Sequence, residues 1–259
     1  MKNKGNIFGK LIYTIFFLFV INSSSAQQTA AKYSFVEADS IFNSVRIENA
    51  AYKLVMYNQN KDTISNLTVI DRQVTRETYN SVRCIKITEM NNQSKPATKT
   101  IAYIDINSLL PVHFETFLND TLIQKADFDG IKALIIDYKN GKEAVSEIGL
   151  SKPVFLSNSF SELLQAIDFE RNKIVRFETF SPGKSTNQFI VERDGETGFP
   201  IPGGEIIKCW LLKFRRLDSK GNESVAGYRY ADKQTGKVLL YKSNIDTQIY
   251  FTYQLLFLK

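Results

Sequence analysis

The apolar positions of this chain fall mostly in short runs of β-branched and aromatic residues. "LTVIDRQVT" (67–75), "ALIIDYK" (133–139), "KIVRFETF" (173–180), "NQFIVER" (187–193) and "TQIYFTYQLLFL" (247–258) share this character, with Gly, Asn, Asp and Ser clustered between them. Such side chains suit a pleated, half-buried surface and such punctuation suits turns, so the pattern predicts a meander of antiparallel strands. "YKNGKEA" (138–144) contains Asn-Gly, the dipeptide favoured in two-residue hairpin turns. "GFPIPGGE" (198–205), with two prolines and three glycines, reads as a rigid, exposed connection between strands.

One stretch has helical spacing instead. "SNSFSELLQAIDFE" (157–170) puts Phe160, Leu163, Leu164 and Ile167 on one face, and Ser159 with Glu162 three residues on fits a capping box. It reads either as a helix covering the apolar face of the sheet or as a lid over a ligand cavity. A weaker helical stretch spans 36–57, where Ile41, Val45, Ala51 and Leu54 fall at mixed spacing and part of the segment suits a strand. The expected fold is mainly β (α+β), a curved antiparallel sheet or half-barrel with one or two packing helices.

The strand pattern is said twice. "AYIDINSLLPVHFE" (102–115) and "GYRYADKQTGKVLLYK" (227–242) align at a constant offset that pairs Tyr103 with Tyr230, Asp105 with Asp232, Ser108 with Thr235, Val112 with Leu239 and Phe114 with Tyr241. Asp bonds the backbone two residues on and opens a turn, and Ser or Thr does so more weakly, so each copy predicts a hairpin. Upstream, "VRCIKITEM" (82–90) matches "IKCWLLKF" (207–214), setting Cys84 against Cys209; the second connection, "RLDSKGNES", is longer by two residues. A duplicated unit of three strands follows. It divides the chain into a half over 27–150 and a helix-plus-strand half over 151–259, or runs as one continuous domain over 33–259.

The N-terminus has a different pattern. Lys2, Lys4 and Lys10 surround and precede the apolar run "LIYTIFFLFVI" (11–21), and small residues follow in "NSSSAQQ". That is the layout of a secretory signal peptide, with cleavage expected after Ala26; the run is too short for a spanning helix, which needs about 20 residues. No cysteine follows directly after it, so a lipobox is missing and a periplasmic or secreted destination is expected. Removing the signal takes away three lysines and no acid, lowering the formal charge from +6 to +3. With Lys and Arg scattered, nucleic acid is not an expected partner.

Candidate chemistry is sparse. His113 is the only histidine, and its counterpart in the second copy is Leu240, so the duplicated scaffold does not require imidazole there. There is no phosphate-binding glycine loop, no Cys-x-x-Cys and no histidine-based metal cluster, and no cofactor is expected. Asp127, Asp129 and Asp137 are the nearest approach to paired carboxylates, but "DFDG" (127–130) has a local explanation as a turn. A non-enzymatic protein is the expectation. Cys84 and Cys209 are either a disulfide, which export permits, or two buried thiols.

Aromatic side chains mark the candidate ligand surface: Tyr103, Phe114, Trp210, Tyr230 and Tyr241, all in the repeated units. They either fill the core or line a concave apolar face, and the second arrangement suits a lipid or acyl chain. The competing class is an interaction module that offers its sheet edge or loops to an envelope protein or glycan.

"KPVFLSNSFSELLQAIDFE", "KCWLLKF" and "GYRYADKQTGKVLLYK", in that order, resemble a group of uncharacterised exported bacterial β-rich domains. These are similar in architecture to the lipoprotein-carrier (LolA/LolB-like) half-barrels, whose curved sheet wraps a helix and can hold acyl chains. The resemblance implies an envelope protein with a surface for a hydrophobic ligand or a partner, and it implies no catalytic residues.

Overall fold

A computed structural model describes residues 41–60, 63–183, 186–201, 203–245 and 249–257. The expected signal peptide lies outside them. After a 3-10 turn at Ser44–Arg46 come β1 (Ala50–Asn60), β2 (Thr63–Tyr79), β3 (Val82–Asn91), β4 (Thr98–Asp105), β5 (Pro111–Leu118), β6 (Thr121–Asp129), β7 (Lys132–Lys139) and β8 (Lys142–Gly149). The chain continues with β9 (Phe155–Leu156), α1 (Phe160–Ala166), β10 (Ile174–Phe180), β11 (Asn187–Pro200), β12 (Ile206–Leu217), β13 (Glu223–Asp232), β14 (Val238–Ile245) and β15 (Ile249–Phe257). Of the weak helical stretch, 50–57 lie in strand β1, 44–46 form the 3-10 turn and 36–40 lie outside the described residues, and "GFPIPGGE" begins inside β11.

All fifteen strands form one sheet in the order β8-β7-β6-β5-β4-β3-β2-β1-β15-β14-β13-β12-β11-β10-β9. The first eight strands step outward from β1 to one edge, and the chain then reappears at the opposite edge and steps back until β15 pairs with β1, Leu54 facing Leu255. Every pairing is antiparallel except the short one between β9 and β10. Laid flat, such a sheet would be about 65 Å across. The two edges are nevertheless joined by the residues between Gly149 and Phe155, a reach of about 20 Å at full extension. The sheet therefore curls into a half-barrel.

The segment that makes this crossing fills the inside of the curl. Leu156, Leu163, Leu164, Ala166 and Ile167 are buried to 1% exposure or less. They pack in one cluster with Ile85, Ile87, Ala102, Ile104, Ile135, Val175 and Leu212 from the inward face of the sheet. Each large aliphatic side chain buried in this way contributes about 1.5–3 kcal/mol.

The duplication is present at the level of single hydrogen bonds. In the first copy the Asp105 carboxylate accepts from the amides of Asn107 and Ser108 and from the Ser108 hydroxyl, which accepts from the Leu110 amide. In the second, Asp232 accepts from the Gln234 amide and the Thr235 hydroxyl, which accepts from the Lys237 amide. Cys84 faces Asp105 across β3 and β4, and Cys209 faces Asp232 across β12 and β13. Leu109 and Gly236, equivalent positions, both have left-handed backbone, φ 58° and 75°.

Both thiols are free and buried. Five strands separate β3 from β12 in the ladder, so the bridge left open by the sequence is not formed. Burial, helped by the Asp232 carboxylate, pushes the Cys209 thiol up to about 11, and burial likewise raises Cys84. A raised pKa means that thiolate appears only as pH approaches it, and for Cys209 about one part in a thousand is ionised at pH 8. We expect neither cysteine to react with a thiol reagent in the folded protein at pH 8, and both to react in denaturant. Reaction of one equivalent before unfolding would contradict this burial.

Candidate functional site

α1 does not fill the whole curl. A cleft of about 650 Å³ remains between the start of α1 and the ends of β10 to β14, and a smaller compartment of about 210 Å³ lies nearby. Ser157, Phe160, Arg229 and Tyr241 line both.

Local chemistry builds the walls. Phe160, the first residue of α1, meets Phe177, Phe189 and Phe214 at centroid distances of 5.5, 5.5 and 5.1 Å, the spacing of edge-on and tilted aromatic pairs. The Arg229 guanidinium lies 4.6–4.8 Å from the ring centres of Phe160, Phe214 and Tyr241. Cation–π attraction of this kind strengthens as the cation loses water.

A bulge shapes the rim. Phe214 pairs with Gly227 but Arg215 pairs with Val225, leaving Ala226 as the extra residue. Its carbonyl accepts hydrogen bonds from the Tyr241 and Ser243 hydroxyls, at 3.2 and 3.1 Å. Gly227 is required here, because a Cβ would sit 2.3 Å from the Lys242 carbonyl oxygen. The polar lining comprises Thr179, Ser181, Asn187, Arg216 and Ser224 besides these groups, and it contains neither Asp nor Glu.

Beneath the smaller compartment a buried ion cluster fastens α1 to the sheet. Arg72, on β2, donates to both carboxylate oxygens of Glu162, at 3.3 and 2.5 Å, to the Asn158 carbonyl oxygen at 2.7 Å, and to Glu89 on β3. The Tyr52 hydroxyl reaches Glu162 at 3.4 Å. Burial pushes the Tyr52 phenol well above its ordinary range. Glu162 does not close a capping box, and the Ser159 hydroxyl donates instead to the Leu156 carbonyl oxygen. The capping-box reading fails because a buried arginine binds a carboxylate more strongly than a helix-end amide does.

Of the five aromatic residues singled out in the sequence, Tyr241 lines the cleft. Phe114 and Trp210 are in the core cluster. Tyr103 stacks with Tyr79 at 4.4 Å beneath the Lys86 ammonium, on the face opposite Ala102 and Ile104, which point into the core. Tyr230 packs at 6.4 Å from Phe199. Arg229, Phe189 and Ser243, which the sequence did not mark, meet Phe160 of the predicted helix face only through the curl.

The remaining polar candidates have structural partners. Asp127 lies within β6 rather than in a turn, and its carboxylate is 2.6 Å from His113 Nδ1, with Glu115 3.3 Å from Nε2. Asp137 accepts from the Gln124 amide, and Asp129 closes the turn to β7. Among the described residues no group of three or more His, Cys, Asp or Glu side chains is placed to hold a metal, and no helix is long and apolar enough to cross a membrane.

Fold and site together define a curled antiparallel sheet wrapped around a crossing helix, with an amphipathic cleft left at one end of that helix. The chain belongs to the DUF3108 family, described as a protein of unknown function, whose match covers residues 54–252. It is also similar to the crystal structure of a DUF1329 family protein from Desulfovibrio piger ATCC 29098, at 11% identity over 82% of this chain and 88% of that one, with a TM-score of 0.26. Among curated proteins none matches.

Proposed function

We propose that this is an exported, non-enzymatic protein of the cell envelope that binds an apolar or amphipathic molecule, such as a lipid or acyl chain, in the cleft beside α1. The observation that carries the reading is the cleft itself. It opens on the inward face of the sheet, has a floor of Phe160, Phe189 and Phe214, and falls within the roughly 300–1,000 Å³ of small-molecule sites. Export rests on the charged and apolar pattern ahead of Gln27.

Native mass spectrometry of residues 27–259, secreted from a bacterial host and purified without detergent, tests the proposal. A retained mass of lipid size, lost when Phe189 is replaced by arginine, is the expected result. An empty protein that takes up no added amphiphile would sink it. The second reading, an interaction module, draws on β8, an edge strand whose side chains, Val145 among them, are exposed at every position but Ile148, and on exposed Leu134 of the neighbouring β7. A co-purifying protein and no bound lipid would favour that reading.

A further inference from the structure

We infer that the ligand of this cleft is an amphiphile with a single anionic head, a carboxylate or phosphate, whose head meets Arg229 and Asn158 while its chain lies over Phe189, Phe214 and Val225. The inference rests on the ligand-binding reading above and specifies its chemistry.

The duplication provides an internal comparison. Arg229 aligns with Ala102 of the first copy, and Tyr241 with Phe114. There the equivalent surface is closed, with Ala102 fully buried and Phe114 in the core. A half-barrel of this kind therefore packs well with a methyl group at that position. The second copy instead places a guanidinium among three aromatic rings on the inward face, where it lines both compartments.

Arg216 is the other charged residue lining the larger cleft, and the carboxylate lining the smaller compartment, Glu89, is bound by Arg72. In the smaller compartment the side-chain amide of Asn158 is buried at both nitrogen and oxygen with no hydrogen-bond partner. A buried amide without partners is costly, and an anionic head beside Arg229 would accept from its N–H₂. Guanidinium and amide together suit a compact oxyanion, whereas the aromatic floor beyond them suits a chain.

The test compares four probes on the intact mature chain by calorimetry, each below its aggregation concentration: dodecanoate, dodecyl phosphate, the neutral dodecanol, and hexanoate as a head with a short chain. Dodecanoate or dodecyl phosphate should bind about tenfold to a hundredfold more tightly than dodecanol, and the stronger of the two identifies the head. Arg229→Met should remove that preference, so that the two anions bind this variant no more tightly than dodecanol does, and Arg229→Lys should retain part of it. Dodecanol binding as tightly as both anions would overturn the inference and leave the ligand-binding reading standing. Failure of every probe to bind would remove both. If Arg229→Met does not fold, the ranking of the probes on the unaltered protein still decides.

Discussion

Replacing Arg72 with methionine is expected to lower the unfolding free energy by about 3–5 kcal/mol, the usual result of removing one member of a buried ion pair. Arg72 and Glu162 are both nearly inaccessible to water, at 4% and 2% exposure, so the orphaned carboxylate cannot regain hydration without undocking α1. Its remaining neighbour would be the Tyr52 hydroxyl at 3.4 Å. Methionine fills much of the arginine stem, which makes the loss electrostatic rather than a matter of volume. The double replacement Arg72→Met with Glu162→Gln should recover most of the cost, since the fully buried carboxylate is then neutral and Glu89, 22% exposed, keeps contact with water. Trp210, the only tryptophan and largely buried, provides the fluorescence signal for urea titration. A cost below about 1 kcal/mol for the single change, or no recovery in the double, would show that the cluster does not hold the helix. Because Asn158 and Phe160 follow the helix, ligand binding should weaken along with stability.

Gly236→Ala should cost about 2–4 kcal/mol, combining left-handed strain with a clash against backbone. At φ 75° its added Cβ would lie 2.5 Å from the Gln165 carbonyl oxygen at the end of α1. That end cannot easily retreat. The Ala166 carbonyl accepts from the Asn43 amide, the Ile167 carbonyl accepts from the Arg46 guanidinium, and the Gln165 side-chain amide donates to the Arg46 carbonyl at 2.6 Å. Gly221→Ala is the matched control: its φ is 81° but open space surrounds it, so strain of about 1–2 kcal/mol is all it should show. Equal melting temperatures for the two variants would mean that the helix yields at Gln165. Leu109, at the equivalent position of the first copy, tolerates the same backbone because its side chain is wholly buried in the core.

The Asn140–Gly141 turn was readable because both residues adopt positive φ, which that dipeptide favours. Asn80–Ser81 and Asn119–Asp120 form turns with the same two positive angles but no glycine, so their local signal was weaker. The sequence neighbours of Asp127 are turn formers and predict a turn there. Pairing β5 with β6 instead set it opposite His113.

By itself, the sequence determined most of the strands, the place of the helix though not its short span of Phe160–Ala166, and the duplicated Asp-centred hairpins, because alternation, helical spacing and side-chain-to-backbone bonds operate within a few residues. Tertiary structure alone decided that Cys84 and Cys209 stand apart and that Glu162 serves Arg72 rather than an N-cap. It also placed Arg229 among three aromatic rings while Tyr103 faces the other way. Those outcomes depend on the curl of a fifteen-stranded sheet and on pairings between distant parts of the chain, ninety residues apart for Arg72 and Glu162. No short-range pattern encodes which part of a concave face a crossing helix will leave uncovered.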